Sequence, residues 1–120
     1  MKLQYLRPIL WVDDVKRTIE YYVGVLGFKF GDYIEELNWG FVLRDEVQFM
    51  FSKPPQSVKY NSSQFTGSLY LNTDDVDSWW AYLKDKVEIV YPIDDFAYLM
   101  REFAIKDCNG YILQFGKNIS

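Results

Sequence analysis

The sequence predicts an α+β fold made of two βαβββ modules. The first reason is that a short apolar segment, a capped amphipathic helix and an apolar hairpin follow one another, and the same order then restarts. The second is that VDDV at 12–15 matches TDDV at 73–76, an offset of 61 residues. The third is that FVLRD at 41–45 matches FAIKD at 103–107, an offset of 62 residues. Two matches in nearly the same register indicate an internal repeat.

The first module is predicted over residues 5–52. Its first strand is YLRPILWV, in which Pro8 is tolerable at a strand start or sheet edge. Asp13 and Asp14 offer an N-cap for a helix whose apolar residues Val15, Ile19 and Tyr22 recur at helical spacing. The remaining segments are the helix VKRTIEYYVGVLG, the strand and bend FKFGDYIEE, and a hairpin of WGFVLRD and VQFMFS around Asp45-Glu46.

The second module is predicted over residues 67–116, after a Pro- and Ser-rich linker at 53–66. Its elements are the strand SLYLNT, a cap at Asp74-Asp75, the helix VDSWWAYLKDK, the strand VEIVYPI, the loop DDFAYLM, and a hairpin of REFAIKD and YILQFG. The turn of that hairpin contains Asn109-Gly110, a dipeptide that tolerates positive φ at both positions. Residues 1–120 are therefore expected to form a single domain of two half-repeats, each needing a partner surface for its sheet.

Composition excludes several function classes. A net charge of −4 disfavours nucleic acid and anionic membranes as partners and favours cationic molecules. The chain has no histidine, so Ser-His and Cys-His catalytic pairs and imidazole metal sites are excluded. An all-oxygen site for a hard cation is still compatible with the composition.

The location expected from the sequence is cytoplasmic. Cys108 is the only cysteine, which rules out an intrachain disulfide and fits a reducing compartment. The first residues lack the apolar core of a signal peptide, and no apolar stretch approaches the length of a membrane span.

The segments VDDVKRTIEYYVGVLGF and REFAIKDCNGYILQF, set in paired βαβββ modules, resemble the vicinal oxygen chelate superfamily. This group includes glyoxalase I, extradiol dioxygenases and the bleomycin resistance proteins. The resemblance runs from about Tyr5 to Phe115, and its most recognisable parts are Leu26-Gly27-Phe28 and Arg101-x-Phe103 before the final turn. The family usually has proline where Cys108 stands. The resemblance implies an open-barrel cleft, completed in a homodimer.

Metal-using members of this group take their ligands from the first and last strands of each half. The resemblance places those positions at Arg7, Met50, Ser68 and Gln114, with Gln48 as the alternative to Met50. Arginine is a permanent cation, methionine is a soft and weak donor, and serine and glutamine supply only neutral oxygens. We therefore expect no metal and no other cofactor.

Among these groups the chain looks most similar to the bleomycin resistance proteins, which are short, acidic and free of metal ligands. That likeness implies a metal-free homodimer that sequesters a large, flat, cationic drug and needs no catalytic residue. Strand alternation adds neighbours on the same faces. Trp39 stands where the drug-binding relatives also have an aromatic residue, so the resemblance makes it the best candidate for a stacking contact. The predicted ligand-binding residues are Arg7, Trp11, Trp39, Gln48, Met50, Ser68, Tyr70 and Gln114.

Two readings compete with sequestration. The first is a metal-independent enzyme that acts on a small organic substrate, with Arg7 as an electrostatic anchor and a carboxylate from Glu35, Glu36, Asp45 or Glu46 as general base. The second is a metal enzyme with a displaced oxygen-ligand site. The aromatic candidates could instead be packing residues, and Arg7 could form a structural ion pair. A cation at Arg7 also favours a carboxylate or phosphate ligand, which conflicts with a cationic drug.

Overall fold

A computed structural model describes residues 1–62 and 64–120. The chain divides into two compact units, Met1–Ser63 and Gln64–Ser120. In the described residues each unit carries one α-helix packed on a four-stranded sheet. The predicted linker at 53–66 includes residue 63, which lies outside the described residues, so the boundaries of the two half-repeats stay a prediction.

In the first unit, a helix covers one face of a mixed sheet. The strand order is β1-β4-β3-β2, with β1 parallel to β4. The helix buries Ile19 and Tyr22, and the Tyr22 ring lies 4.9 Å from that of Phe51, centroid to centroid. The elements are β1 (Ile9–Trp11), α1 (Val15–Gly24), β2 (Lys29–Ile34), a 3-10 turn (Glu35–Leu37), β3 (Trp39–Arg44) and β4 (Val47–Ser52).

The second unit repeats this plan. Its strand order is β5-β8-β7-β6, with β5 parallel to β8. Trp79 and Trp80 of its helix pack on Phe115 and Phe103 respectively, each pair with ring centroids 5.2 Å apart. The elements are β5 (Leu69–Asn72), α2 (Val76–Leu83), β6 (Glu88–Phe96), β7 (Met100–Lys106) and β8 (Ile112–Asn118).

The two helix starts show the repeat most directly. Asp14 caps α1 by accepting a hydrogen bond from the backbone N–H of Arg17 at 3.0 Å. Asp75, 61 residues later, caps α2 by accepting from the N–H of Ser78 at 3.2 Å. Because caps, strand order and parallel closing pairs all recur, the predicted fold class of two βαβββ modules is confirmed.

Several predicted boundaries are wrong. The helices end at Gly24 and Leu83, earlier than predicted, and the first strand contains only Ile9–Trp11 of the predicted 5–12. The segment DDFAYLM is not a loop throughout, because β6 continues to Phe96 and only residues 97–99 connect it to β7. A longer β6 turns the predicted loop into a hairpin.

The final turn differs from the expected Asn-Gly geometry. Of the two residues, only Gly110 has a positive φ, at 90°. The turn is held instead by Asp107, whose carboxylate accepts from the backbone N–H of Asn109 at 2.8 Å and of Tyr111 at 2.9 Å. A side chain that caps backbone donors locally removes the need for a second left-handed residue.

Neither helix in the described part of the chain has the length and apolar character that crossing a bilayer requires.

Candidate functional site

The candidate site lies on the face of the second sheet that is opposite α2. In β7, Phe103 and Ile105 point toward the helix side, so strand alternation places Glu102 and Ala104 on the other face. Ala104 pairs with Gln114 of β8, and Gln114 pairs with Tyr70 of β5. Side chains of paired residues share a face, so Glu102, Gln114 and Tyr70 converge there.

At its centre is the carboxylate of Glu102, which is fully buried. Tyr70 donates its phenolic O–H to Oε1 at 2.9 Å. Tyr91 donates its O–H to Oε2, and Gln114 Nε2 donates to the same oxygen at 3.1 Å. Gln114 Nε2 also donates to the Tyr91 hydroxyl at 2.7 Å, while Ser68 Oγ donates to Gln114 Oε1. We call these five residues the Glu102 network.

The network fixes the charge state of its members. Burial alone raises the pKa of Glu102, but hydrogen bonds from Tyr91, Tyr98, Tyr70 and Gln114 outweigh burial and leave that pKa below its ordinary value. Burial and the hydrogen bond to Glu102 raise the pKa of Tyr91 to about 12. The same causes raise the pKa of Tyr70. At neutral pH the site therefore holds one carboxylate anion and neutral phenols.

A glycine makes room for this arrangement. Gly116 of β8 is the register partner of Glu102, and a Cβ built on it would lie 2.0 Å from the hydroxyl oxygen of Tyr70. Any other residue would therefore displace the phenol that hydrogen-bonds to Glu102.

An aromatic row borders the network along the β6–β7 hairpin. The Tyr91 and Phe96 rings meet edge to face at 5.6 Å, and Tyr98 stacks on Phe96 at 5.5 Å. Tyr98 is 61% exposed, so this row offers an accessible aromatic surface beside the polar groups.

Three of the predicted residues come together here. Ser68, Tyr70 and Gln114 share one face and are joined through hydrogen bonds, as strand alternation indicated. Glu102 and Tyr91 were not among the predicted residues. The signal for Glu102 was available, because a carboxylate two residues before Ala104 must share the face that Gln114 occupies across the hairpin.

The remaining predicted residues belong to the first unit. Trp11 and Trp39 both pair with Ser52, on opposite sides of it, so their side chains share the face opposite α1. Met50 pairs with Ile9 just as Gln114 pairs with Tyr70, which makes Met50, not Gln48, the counterpart of Gln114. Gln48 lies two residues earlier on the same face of β4. Whether any of these residues binds a ligand stays a prediction.

Among the described residues, the Arg7 side chain contacts its near neighbours in sequence. Its Nη1 donates to the carbonyl of Leu6 at 3.3 Å, and its guanidinium lies 4.2 Å from the centre of the Tyr5 ring. Its buried Nε has no hydrogen-bond partner among the described residues, and their ion pairs do not include Arg7. The suggested structural ion pair is therefore not found in the part of the chain that the structure describes.

The carboxylates proposed as general bases are on the surface. Glu35 and Glu36 lie in the exposed 3-10 turn after β2, and Asp45 and Glu46 form the exposed turn between β3 and β4. None of the four belongs to the Glu102 network.

A separate pocket of about 430 Å³ lies in the first unit between α1 and β2. A bulge between Phe30 and Asp32 puts Phe30 and Tyr33 on the same side of the strand, although their numbering would place them on opposite faces. None of the predicted ligand-binding residues lines this pocket.

The donor set does not fit a catalytic divalent metal. Ser68 and Gln114 supply neutral oxygens, and both are already hydrogen-bonded to each other. Arg7 carries a permanent positive charge, and the Met50 thioether is a weak ligand for hard cations. The nearby carboxylate of Glu102 is buried and already accepts from several donors. Glyoxalase-type metal chemistry needs anionic or imidazole ligands at these positions, and this chain has none there.

Comparison with known families supplies the assignment. The family model described as the Glyoxalase/Bleomycin resistance protein/Dioxygenase superfamily matches residues 2–115. The chain belongs to this superfamily. No match was found among curated proteins.

Several solved structures share the fold. A member from Sphaerobacter thermophilus DSM 20745 superposes with a TM-score of 0.78 at 20% identity, over 97% of this chain and 98% of that one. TnmS3, an antibiotic binding protein from Streptomyces sp. CB03234, gives 0.75 at 19% identity, with 98% of each chain covered. A lactoylglutathione lyase from Agrobacterium tumefaciens gives 0.72 at 15% identity, covering 95% of this chain and 92% of that one. At these identities the likeness establishes the fold alone.

Proposed function

We propose that this protein is a metal-free small-molecule-binding protein of the bleomycin-resistance type, which acts by sequestering its ligand. The ligand would contact the faces that carry the predicted residues, namely Arg7, Trp11, Trp39, Gln48, Met50, Ser68, Tyr70 and Gln114. The antibiotic-binding relative of the same fold supports a binding role.

One observation carries the proposal. Two of the positions that chelating relatives use for metal ligands are Ser68 and Gln114, and in this chain they are hydrogen-bonded to each other. Gln114 is further tied to Tyr91 and Glu102. A side chain held by such a network is preorganised to bind an organic ligand by hydrogen bonds, not to coordinate a metal ion.

The same network argues against the competing enzyme. A general base works best with a pKa near the operating pH, and a general acid needs the same. Here the pKa of Glu102 is lowered, and that of Tyr91 is raised to about 12. Both shifts move away from neutrality, so the network favours binding over proton transfer.

The test is a titration followed by recovery of the ligand. Bleomycin and a panel of small aromatic amines and aromatic acids are screened by thermal shift, because a compound present at 100 times its Kd raises the unfolding free energy by about 2.7 kcal/mol. We expect at least one saturable binder that mass spectrometry recovers unchanged after long incubation with the protein. Conversion of the binder under multiple turnover would contradict sequestration, and a screen without any binder would contradict the proposed function.

Trp39→Ala tests the predicted stacking contact. If Trp39 stacks on the bound aromatic compound, the substitution weakens binding by about 1–3 kcal/mol, measured as Kd by calorimetry. Tyr82→Ala is the matched control, since Tyr82 is an exposed aromatic on α2 and is not on a predicted ligand face. Equal Kd values for wild type and Trp39→Ala would assign Trp39 to packing.

We also propose that residues 1–120 form one domain of half-repeats 5–52 and 67–116, that two chains associate as a homodimer, and that the protein works in the cytoplasm. The closing of each sheet through its first and last strands and the lone Cys108 are compatible with these proposals.

A further inference from the structure

We propose that the Glu102 network selects ligands that donate hydrogen bonds, above all protonated aromatic amines, and rejects carboxylates. The inference rests on the proposed binding function and names the ligand class of the same site.

The first step is the direction of the hydrogen bonds around Glu102. An ionised carboxylate only accepts, so every group bonded to it must donate. Each phenol has a single proton, and Tyr70 and Tyr91 both direct theirs to Glu102. Toward a ligand, their oxygens can therefore offer lone pairs only.

The same constraint passes through Gln114 to Ser68. Gln114 must turn its nitrogen toward Glu102 and Tyr91, so its Oε1 faces Ser68. An amide oxygen only accepts, so the Ser68 hydroxyl donates its single proton to Gln114 Oε1. The carboxylate of Glu102 thus fixes, directly or through Gln114, the direction in which four side chains donate their hydrogen bonds. The network therefore presents hydrogen-bond acceptors to a ligand.

The second step is the accessibility of these acceptors. Glu102 is buried, but Tyr70 is 37% exposed and Ser68 is also exposed. The aromatic row of Tyr91, Phe96 and Tyr98 lies alongside. An ammonium group at the phenol oxygens would leave its aromatic ring beside this row, where stacking and cation–π contacts are available.

The third step is the charge on this face. Asp94 pairs with Glu102 across the β6–β7 register and is exposed, which adds a second carboxylate. Lys106, four residues beyond Glu102 on the same strand, lies 3.4 Å from Glu88 and so has its own counter-ion. Arg101 points to the other side, where it binds Asp95 and Asp77. The negative charge on this face therefore favours a cationic ligand, as the hydrogen-bond acceptors do.

The experiment compares two probes of similar size and opposite character, phenethylammonium and 3-phenylpropionate. Both are titrated into the full-length protein at pH 7 and moderate salt, and binding is followed by NMR of labelled backbone and Gln side-chain amides. We expect phenethylammonium to bind at least about tenfold more tightly and to shift the Gln114 side-chain amide.

Glu102→Gln and Asp94→Asn separate the acceptor pattern from simple charge. Both remove one negative charge from the same face. Only Glu102→Gln changes the carboxylate that accepts from Tyr70 and Tyr91: one of its two oxygens becomes an NH2 donor, so at least one phenol loses its acceptor and can turn its O–H outward. We expect Glu102→Gln to abolish or reverse the preference, and Asp94→Asn to keep most of it.

Each outcome decides the inference. Equal or tighter binding of 3-phenylpropionate by the wild type overturns it, and this comparison needs no variant to fold. Matching effects of the two substitutions also overturn it, because charge alone would then explain the preference. Absence of binding by both probes at 20 mM overturns the ligand class, whereas the proposed function is judged separately by the broader screen.

Discussion

Glu102 is the residue on which the candidate site depends. It is a fully buried carboxylate that receives hydrogen bonds from Tyr70, Tyr91 and Gln114. A buried anion is tolerated only when its lone pairs are satisfied. Here phenols and an amide satisfy them, and the ion pairs among the described residues do not include Glu102. The carboxylate is thus both a source of order and a source of negative potential on this face.

Removing that acceptor should destabilise the protein. Glu102→Ala removes the acceptor of the Tyr70 and Tyr91 hydroxyls and one of the two acceptors of Gln114 Nε2, so we expect a loss of about 2–3 kcal/mol in unfolding free energy. Denaturant titration measures it. Asp94→Ala, which removes an exposed carboxylate from the register partner, should change stability by no more than about 0.5 kcal/mol. Similar losses for both variants would show that the network is not stabilising.

The tyrosines predict an alkaline limit to stability. The pKa of Tyr91 rises from 10.0 to about 12 on folding, so the unfolded chain releases this proton first. Between about pH 10 and pH 12 the unfolded state binds fewer protons, and stability falls as pH rises through this window. Tyr91→Phe should show a shallower loss of unfolding free energy over the same range. An unchanged slope in the variant would contradict the assignment.

Glu102 also predicts an acid limit of opposite sign. Its pKa is lower in the folded protein than in the unfolded chain, so its contribution is present at neutral pH and is lost as pH falls below about 4. Thermal unfolding at pH 3–7 should therefore show a steeper loss of Tm for wild type than for Glu102→Gln. Parallel curves of Tm against pH for the two proteins would contradict the lowered pKa of Glu102.

Sequence reasoning reached some of these residues and missed others for a physical reason. The family resemblance located Ser68 and Gln114, and strand alternation added Tyr70 beside Ser68, because the face of a strand residue depends only on local periodicity. The burial of Glu102 depends on which strands flank β7, and Tyr91 shares the face of Glu102 because the register of β6 shifts on either side of Tyr91. Glu102 is the unspecified position of the Arg101-x-Phe103 pattern, yet it is the residue of that pattern that belongs to the candidate site.

At the scale of elements, the parallel pair of β5 and β8 and the hairpin of β6 and β7 assemble the site. Repeated sequence segments and Asp caps predicted these elements well, since both are local signals. The sequence predicts too short a β6, because Pro92 and the register shifts near Tyr91 interrupt the pattern expected of a continuous strand. Irregularities of this kind depend on the neighbouring strand and leave little trace in local periodicity.

Close approach between β8 and the Tyr70 side chain gives a prediction for Gly116. A methyl group there would lie 2.0 Å from the Tyr70 hydroxyl, so Gly116→Ala must displace the phenol from Glu102. We expect a loss of about 1–3 kcal/mol in unfolding free energy. Gly24→Ala is the control, because its Cβ would meet nothing within 4 Å and alanine favours the helix. In a Tyr70→Ala background the cost of Gly116→Ala should largely vanish, and a full cost there would contradict the clash.

At the scale of the whole molecule, the proposed homodimer is the feature to measure. Light scattering at micromolar concentration should give a mass close to twice the 14.3 kDa of one chain. A closed pair of identical chains is the commonest assembly of soluble proteins, and an unpaired sheet face is a reason to form one. A monomeric mass at that concentration would contradict the dimer and leave the Glu102 network unaffected, since all its residues lie within one unit.

The parallel closing strands have a consequence for how the chain acquires its structure. In each unit the earliest strand is joined to the latest one, β1 to β4 and β5 to β8. The first sheet is complete only when Ile9 pairs with Met50, and the second only when Tyr70 pairs with Gln114. Contacts so distant along the chain close slowly, because loop entropy is lost before the strand pairing compensates for it. During synthesis, the first strand of each unit leaves the ribosome without its hydrogen-bonding neighbour and stays that way until the last strand of that unit has emerged.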